Sequence, residues 1–292
     1  MRVLIIGGTG MLGHKAWQTF APRFDTYATV RGIPSDYSTS GIFDEGRLIG
    51  NVVAEDFHSV ERAVQSVEPE VIVNCIGIVK QDASAKDPIA SITANSLFPH
   101  RVARLCHGSG ARLIHLSTDC VFSGRQGNYQ EDDLPDAEDL YGRSKLLGEV
   151  SGDKCLTIRT SMIGRELKGA HGLLEWFLSQ SGSVRGYKRA IFSGFTTGAL
   201  AHLIARVIAE AQGLSGIWHV AASPISKFDL LTLVKQTYGL ATEIDPDETF
   251  VCDRSLNGAR FRDATGIQAP SWKQMIEDMH ADVTRYEEIR SR

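Results

Sequence analysis

The chain is poor in cysteine, in long apolar runs and in excess charge of either sign. Its five cysteines, Cys75, Cys106, Cys120, Cys155 and Cys252, are odd in number and widely scattered. That pattern argues against a disulfide framework and against paired zinc knuckles, and the expectation is reduced thiols in a cytoplasm. No apolar stretch is long enough to cross a bilayer, so no membrane association is expected. The opening MRVLIIGGTG runs straight into a strand pattern and glycines, without a basic region or a small-residue cleavage site, so no secretory leader is expected either. Lys plus Arg number 31 against 35 Asp plus Glu, a net charge of -4, which provides no basic field to gather nucleic acid. Internal repeats, low-complexity tracts and long Pro/Ser linkers are missing too. A small molecule is therefore the expected ligand.

What is present is a globular composition. With 42% hydrophobic and 23% charged residues, 292 residues suffice for one large domain or a nucleotide-binding domain with a smaller appendage. Short β-branched runs at 2–6, 26–30, 71–75, 112–117 and 155–159 alternate with helical patterns at 11–20, 59–67, 91–109 and 140–150. Such alternation predicts an α/β fold, a Rossmann-type doubly wound parallel sheet over residues 1–160. Beyond Ser161 the pattern changes to helices at 172–181, 197–211 and 227–238 and a strand at 217–221. A last amphipathic stretch, 272–290, follows Pro270 and Ser271, a suitable helix start. Residues 161–292 are read as a smaller α/β part, mainly substrate-binding and packed on the same body.

Gly7-Gly8-Thr9-Gly10-Met11-Leu12-Gly13 follows the strand Val3-Leu4-Ile5-Ile6 and heads a helical pattern. Residues lacking a Cβ let the chain turn sharply and let a pyrophosphate approach the amides of a helix N-terminus. A tight strand-to-helix turn would need less, but the position of the motif favours dinucleotide binding by Gly7, Thr9, Gly10, Met11, Leu12 and Gly13. Where NAD sites place an acid after the second strand, this chain has Arg31, which can pair with a 2′-phosphate; NADP is thus favoured over NAD. Arg31 would serve equally as a solvated surface residue. Asp56 and Phe57 stand where an acidic-apolar step cups an adenine, and Asp56 suits a helix cap as well.

Tyr141-Gly142-Arg143-Ser144-Lys145 sets a phenol and an ammonium one helical turn apart. A nearby ammonium stabilises phenolate and draws an acid-base couple toward neutral pH, although surface pairs with this spacing are common. Leu116-Ser117-Thr118-Asp119 ends the strand before that helix, and hydroxyls at such an edge point into the ligand crevice. Glycine loop, strand-end hydroxyls and Tyr/Lys helix together are hard to attribute to chance. His115, His171 and His219 lack metal-ligand spacing and are read as structural or solvated, with no metal expected.

These pieces resemble the extended short-chain dehydrogenases/reductases, in particular the sugar-nucleotide reductases related to dTDP-4-dehydrorhamnose reductase. The resemblance is carried by Gly7 to Gly13, Val73-Asn74-Cys75, Ser117-Thr118-Asp119-Cys120-Val121-Phe122-Ser123-Gly124, Tyr141 to Glu149 and Ile158-Arg159-Thr160-Ser161. It implies NADPH-dependent reduction of a 4-keto group on a nucleotide-linked deoxysugar, for cell-surface polysaccharide precursors. By the same resemblance Thr118 orients the carbonyl, Tyr141 supplies the proton, and Lys145 holds the nicotinamide ribose and polarises Tyr141. Cys75, Ile76 and Gly77 would then lie along the cofactor. Ser117, Thr118, Asp119, Met162 and Arg254 would meet the substrate, Arg254 at its diphosphate, though Arg254 also suits a surface salt bridge. Met162 and Trp176 suit either the sugar pocket or the core. Met162 stands where the rhamnose enzymes tend to have Trp, which leaves the sugar open. An epimerase or dehydratase, a non-catalytic NADP-binding regulatory subunit, and a homodimeric assembly are all compatible with the resemblance.

Overall fold

The computed structural model describes residues 1–38, 40–80 and 83–291. Its centre is a seven-stranded sheet made of β1 (Arg2–Ile6), β2 (Asp25–Thr29), β3 (Leu48–Ile49), β4 (Val71–Asn74), β5 (Arg112–Leu116), β6 (Cys155–Arg159) and β7 (Gly216–His219). The spatial order is β7-β6-β5-β4-β1-β2-β3, and every pairing is parallel. Side chains along a strand alternate between faces. Val3 and Ile5 therefore join a core with Trp17 and Phe20 of α1 (Gly13–Phe20) and Leu200 and Ile204 of a later helix, whereas Leu4 and Ile6 join Val60 and Val64 of α2 (Phe57–Val67) and Phe98 and Val102 of α3 (Phe98–Ser109). Both faces are covered, so the central strands β1 and β4 carry the unbroken apolar runs Val3 to Ile6 and Val71 to Val73.

The sheet is not confined to the first 160 residues, because β7 comes from beyond them. The chain supplies α4 (Leu140–Leu147) before β6, and α5 (Leu173–Leu178) and α6 (Thr197–Glu210) between β6 and β7. Arg112 on β5 donates to the carbonyls of Val207 at 3.2 Å, Ala211 at 3.0 Å and Leu214 at 2.9 Å, capping the end of α6 with a buried guanidinium. After β7 come α7 (Lys227–Tyr238), α8 (Ala259–Thr265), α9 (Trp272–His280) and α10 (Tyr286–Arg290). A small sheet sets Ala190–Phe192 between Ile225–Ser226 and Cys252–Asp253.

Two expectations need correction. The stretch 272–290 is not one helix: Ser271 caps α9 by accepting from Gln274 N at 3.2 Å, but the helix stops at His280. The Asp282 carboxylate then accepts from the amide of Thr284 at 3.1 Å and its hydroxyl at 2.9 Å, a local bond set that competes with helix continuation. The helix expected over 91–109 contains a π-helical turn at Ile92–Leu97. Strand β3 was not foreseen, being only two residues long.

Candidate functional site

The site is built where β1, β4 and β5 end. At the close of β1, Gly7 has φ +90°, a backbone region that disfavours side chains, and its amide donates to Thr29 Oγ1 at 3.0 Å. A Cβ at Gly13 would stand 2.1 Å from the Gly7 carbonyl oxygen, so close packing of helix on loop requires glycine there. Gly10 differs: a Cβ there would find no protein atom nearer than the Gly7 carbonyl oxygen at 3.4 Å. This side of the loop, at the head of α1, is open to a ligand. Thr9, Met11 and Leu12 complete the turn, Leu12 buried and Met11 half-buried.

Beyond β4, Asn74 accepts from Ile76 N at 3.0 Å and donates to His115 Nδ1 at 3.1 Å, shaping the turn Cys75-Ile76-Gly77. That turn runs from the glycine loop to α4: a Cβ at Gly7 would meet Ile76 at 2.9 Å, and one at Gly77 would stand 3.8 Å from Lys145 Nζ. Burial pushes the Cys75 thiol up to about 12, which keeps it protonated.

The hydroxyl-bearing edge follows β5. Thr118 Oγ1 accepts from Cys120 N at 3.1 Å and lies within 3.2 Å of Asp119 Oδ1. Tyr141 begins the neighbouring helix α4, whose start is capped by Asp139 accepting from Gly142 N at 2.8 Å. Burial raises the Tyr141 phenol well above its ordinary value, the Cys120 thiol adds to this, and the Thr118 hydroxyl opposes it. Lys145 Nζ donates to the Leu116 carbonyl at 2.6 Å, and burial lowers its ammonium to about 8. Phenol and ammonium thus share a face of α4, but the ammonium is turned toward Leu116 and Gly77 while the phenol faces Thr118 and Cys120.

Other expected residues are distributed as follows. Ser117 donates to Glu149 Oε1 at 2.7 Å, so its hydroxyl is engaged by the buried pair Glu149–Arg159. Asp119 is buried; burial raises its carboxyl, with Lys227 and Arg254 drawing it back. Arg254 donates to the Phe122 carbonyl at 2.9 Å and lines a cleft of about 250 Å³ with Ser123, Glu138 and Asp139. Met162 is half-buried against the core, and Trp176 is 37% exposed on α5. Arg31 is exposed beyond β2, with no ion-pair partner among the described residues. Asp56 lies 3.8 Å from Arg62 at the start of α2, and Phe57 is buried, its ring 5.9 Å from that of Phe98 and 4.1 Å from the Arg101 guanidinium.

Three groups escaped sequence reasoning. Asn95, in the π-helical turn, accepts from Ile78 N at 2.9 Å and donates to the Ile78 carbonyl at 3.0 Å and to Ser144 Oγ at 3.2 Å. It therefore locks the loop after Gly77 to the helix carrying Tyr141 and Lys145, and π-turns are frequent at such places. Lys227, at the head of α7, sets its ammonium 3.7 Å above the Phe192 ring. His14, the third, joins the glycine loop to the far end of the chain. No local pattern marks any of them, since their partners are distant in sequence.

Residues 1–285 match the family described as the RmlD substrate binding domain. The chain belongs to this family. As an RmlD-family protein it is 27% identical to dTDP-4-dehydrorhamnose reductase of Salmonella typhimurium over 180 residues, 56% of this chain and 52% of that one. It is 34% identical to methionine adenosyltransferase 2 subunit beta of Danio rerio over 153 residues, 51% of this chain and 42% of that one. The chain thus spans about half the length of the curated relatives it matches. In three dimensions the RmlD-family chain is similar to dTDP-4-dehydrorhamnose reductase of Bacillus anthracis, solved in complex with NADP, with a TM-score of 0.79, 22% identity, and 97% and 99% of the two chains covered. What the two share is the fold, a parallel α/β sheet with helices on both faces.

Proposed function

We propose that this RmlD-family chain uses NADPH to reduce a 4-keto group on a nucleotide-linked deoxysugar, in the cytoplasm, for cell-surface polysaccharide precursors. The observation that carries this reading is the convergence of Thr118 and Tyr141, with Lys145 behind them, on the sheet edge where the glycine loop opens. The open side of Gly10 and Arg31, which has no ion-pair partner among the described residues, suit a dinucleotide with a 2′-phosphate. When bound, that cofactor supplies the hydride. Gly7 to Gly13 would hold its pyrophosphate, Cys75 to Gly77 its length, Lys145 its nicotinamide ribose, and the step at Asp56 and Phe57 its adenine end.

The chain's own residues do the rest. Tyr141, a phenol protonated at neutral pH and moved further above it by burial, would donate to the ketone oxygen, and the Thr118 hydroxyl would steady the developing alkoxide. The Lys145 ammonium, still largely charged at pH 7, donates to the Leu116 carbonyl and not to the phenol, so its part is to hold the cofactor's ribose and not to polarise Tyr141. Asp119, Ser117 and Met162 would border the sugar, and Arg254 its diphosphate. In this reading residues 1–160 serve the cofactor and 161–292 mainly the substrate. A homodimer would cover the face where α4 meets the segment carrying Ile89 and Ile92, with Ile89 77% and Leu147 65% exposed.

The likeness to a methionine adenosyltransferase subunit favours a second reading, a regulatory subunit that binds NADP without turnover. The presence of Thr118, Tyr141 and Lys145 speaks against it. The test is NADPH oxidation across a panel of nucleotide-linked 4-keto-6-deoxysugars, with products identified by NMR. Turnover of one of them supports the reductase; NADPH binding without any turnover supports the regulatory subunit.

A further inference from the structure

We propose that the segment 282–290 is a clamp that positions the glycine loop, with His14 and Tyr286 as its positioning residues; the cofactor part of this inference rests on the NADPH reading above. His14 is fully buried at the start of α1. Its Nδ1–H donates to the Gly10 carbonyl at 2.9 Å, and its backbone N–H reaches the same oxygen at 3.1 Å. In a trans peptide the C=O and the following N–H point in opposite directions. Two donors holding the Gly10 carbonyl therefore fix the Met11 N–H outward, toward the anion position at the helix head.

The imidazole is itself held from the other side. Its Nε2 lies 3.1 Å from the Tyr286 hydroxyl, which also donates to Asp282 Oδ2 at 2.6 Å, and Lys15 pairs with that carboxylate. Burial lowers the His14 imidazole to about 4, so at neutral pH it is uncharged and one phenolic hydrogen serves two acceptors. The Tyr286 ring is buried beneath the guanidinium of Arg165 at 4.6 Å.

The same segment holds a second wall. Arg290 Nε donates to the Glu166 carbonyl at 2.9 Å, while the Glu166 carboxylate accepts from His171 N at 3.2 Å and Gly172 N at 2.5 Å. That closes the loop 166–172 and sets Gly172 against the glycine loop: a Cβ there would lie 3.9 Å from Met11 Cε. Arg290 and Arg165 converge on the buried Glu175 at 2.5 and 2.6 Å, fastening α10 to α5. One short segment thus reaches the ring that holds the Gly10 carbonyl and also fastens the loop whose Gly172 lies beside Met11.

The test combines amide hydrogen exchange of the chain without cofactor and NADPH titration by fluorescence. Tyr286→Phe keeps the ring and its packing and removes only the hydroxyl. Expected are faster exchange over residues 7–14, a roughly three- to tenfold weaker NADPH affinity, the scale of one lost hydrogen bond, and a raised KM for NADPH with kcat unchanged. His14→Asn, whose amide can still donate to Gly10, should retain more loop protection than His14→Leu. Unchanged exchange over 7–14 in Tyr286→Phe, or equal protection in the two His14 variants, overturns the clamp. If the unmodified chain binds no NADPH, the proposed function falls; the exchange result then still decides the clamp by itself.

Discussion

Glu149→Ala offers a sharp test of how the site is supported. Glu149 and Arg159 each have a side chain only 4% exposed, and they meet in a two-pronged pair with Nε and Nη2 both 2.8 Å from the carboxylate. Ser117 adds a third bond at 2.7 Å. The Arg159 guanidinium also lies 3.3 Å from His219 Nε2 and 5.3 Å from the Phe122 ring, neither of which replaces a negative charge. Truncating Glu149 therefore strands a buried cation, for which the expected loss is roughly 3–5 kcal/mol. With a urea slope of about 3 kcal/mol per molar, the unfolding midpoint should fall by roughly 1–1.7 M. Replacing both partners with Met removes the charge along with its partner, so Glu149→Met/Arg159→Met should cost less than Glu149→Ala alone. A loss below about 1 kcal/mol in the single variant, or a double variant as costly as Glu149→Ala, refutes the reasoning.

Other expectations concern the chemistry. Tyr141→Phe should lower turnover by roughly two to four orders of magnitude with cofactor affinity nearly unchanged, measured on a substrate whose chemical step shows a deuteride isotope effect. Arg31→Ala should narrow the preference for NADPH over NADH in paired fluorescence titrations; equal affinities in the unmodified chain would remove the argument from Arg31. The Lys145 ammonium, lowered by burial to about 8, carries its charge below that pH and loses it above. NADPH affinity should accordingly fall between pH 7 and 9.5, and Lys145→Met should bind weakly with a flat profile over that range.

How much of this could be read from sequence depended on whether the signal was local. The parallel sheet was legible because strands covered on both faces must be apolar throughout, as Val3 to Ile6 and Val71 to Val73 are. The glycine loop, Thr118, Tyr141 and Lys145 were legible as residue types at set distances from strand ends, and the family match agrees with the family they suggested. Strand β3 carries only Leu48 and Ile49, too few residues for a period. The break after His280 depends on an aspartate turning its carboxylate onto Thr284, which composition does not announce. His14 reads as an ordinary helical residue until Tyr286, 272 positions away, is seen against it. Asn95 is hidden for a related reason, since its partners Ile78 and Ser144 lie 17 and 49 positions away.

The place of β7 in the sheet has a consequence for the growing chain. During synthesis β6 has no partner on its outer edge until Gly216–His219 has been made, and Arg112 has no carbonyls to cap until α6 is complete. Until then β6 presents a row of unpaired amides and carbonyls of the kind that recruits strands from other molecules. A nascent chain halted near residue 160 would hold nearly every group assigned to the cofactor, yet lack the strand that pairs with β6. Its first half is thus the part most in need of protection before the second half arrives.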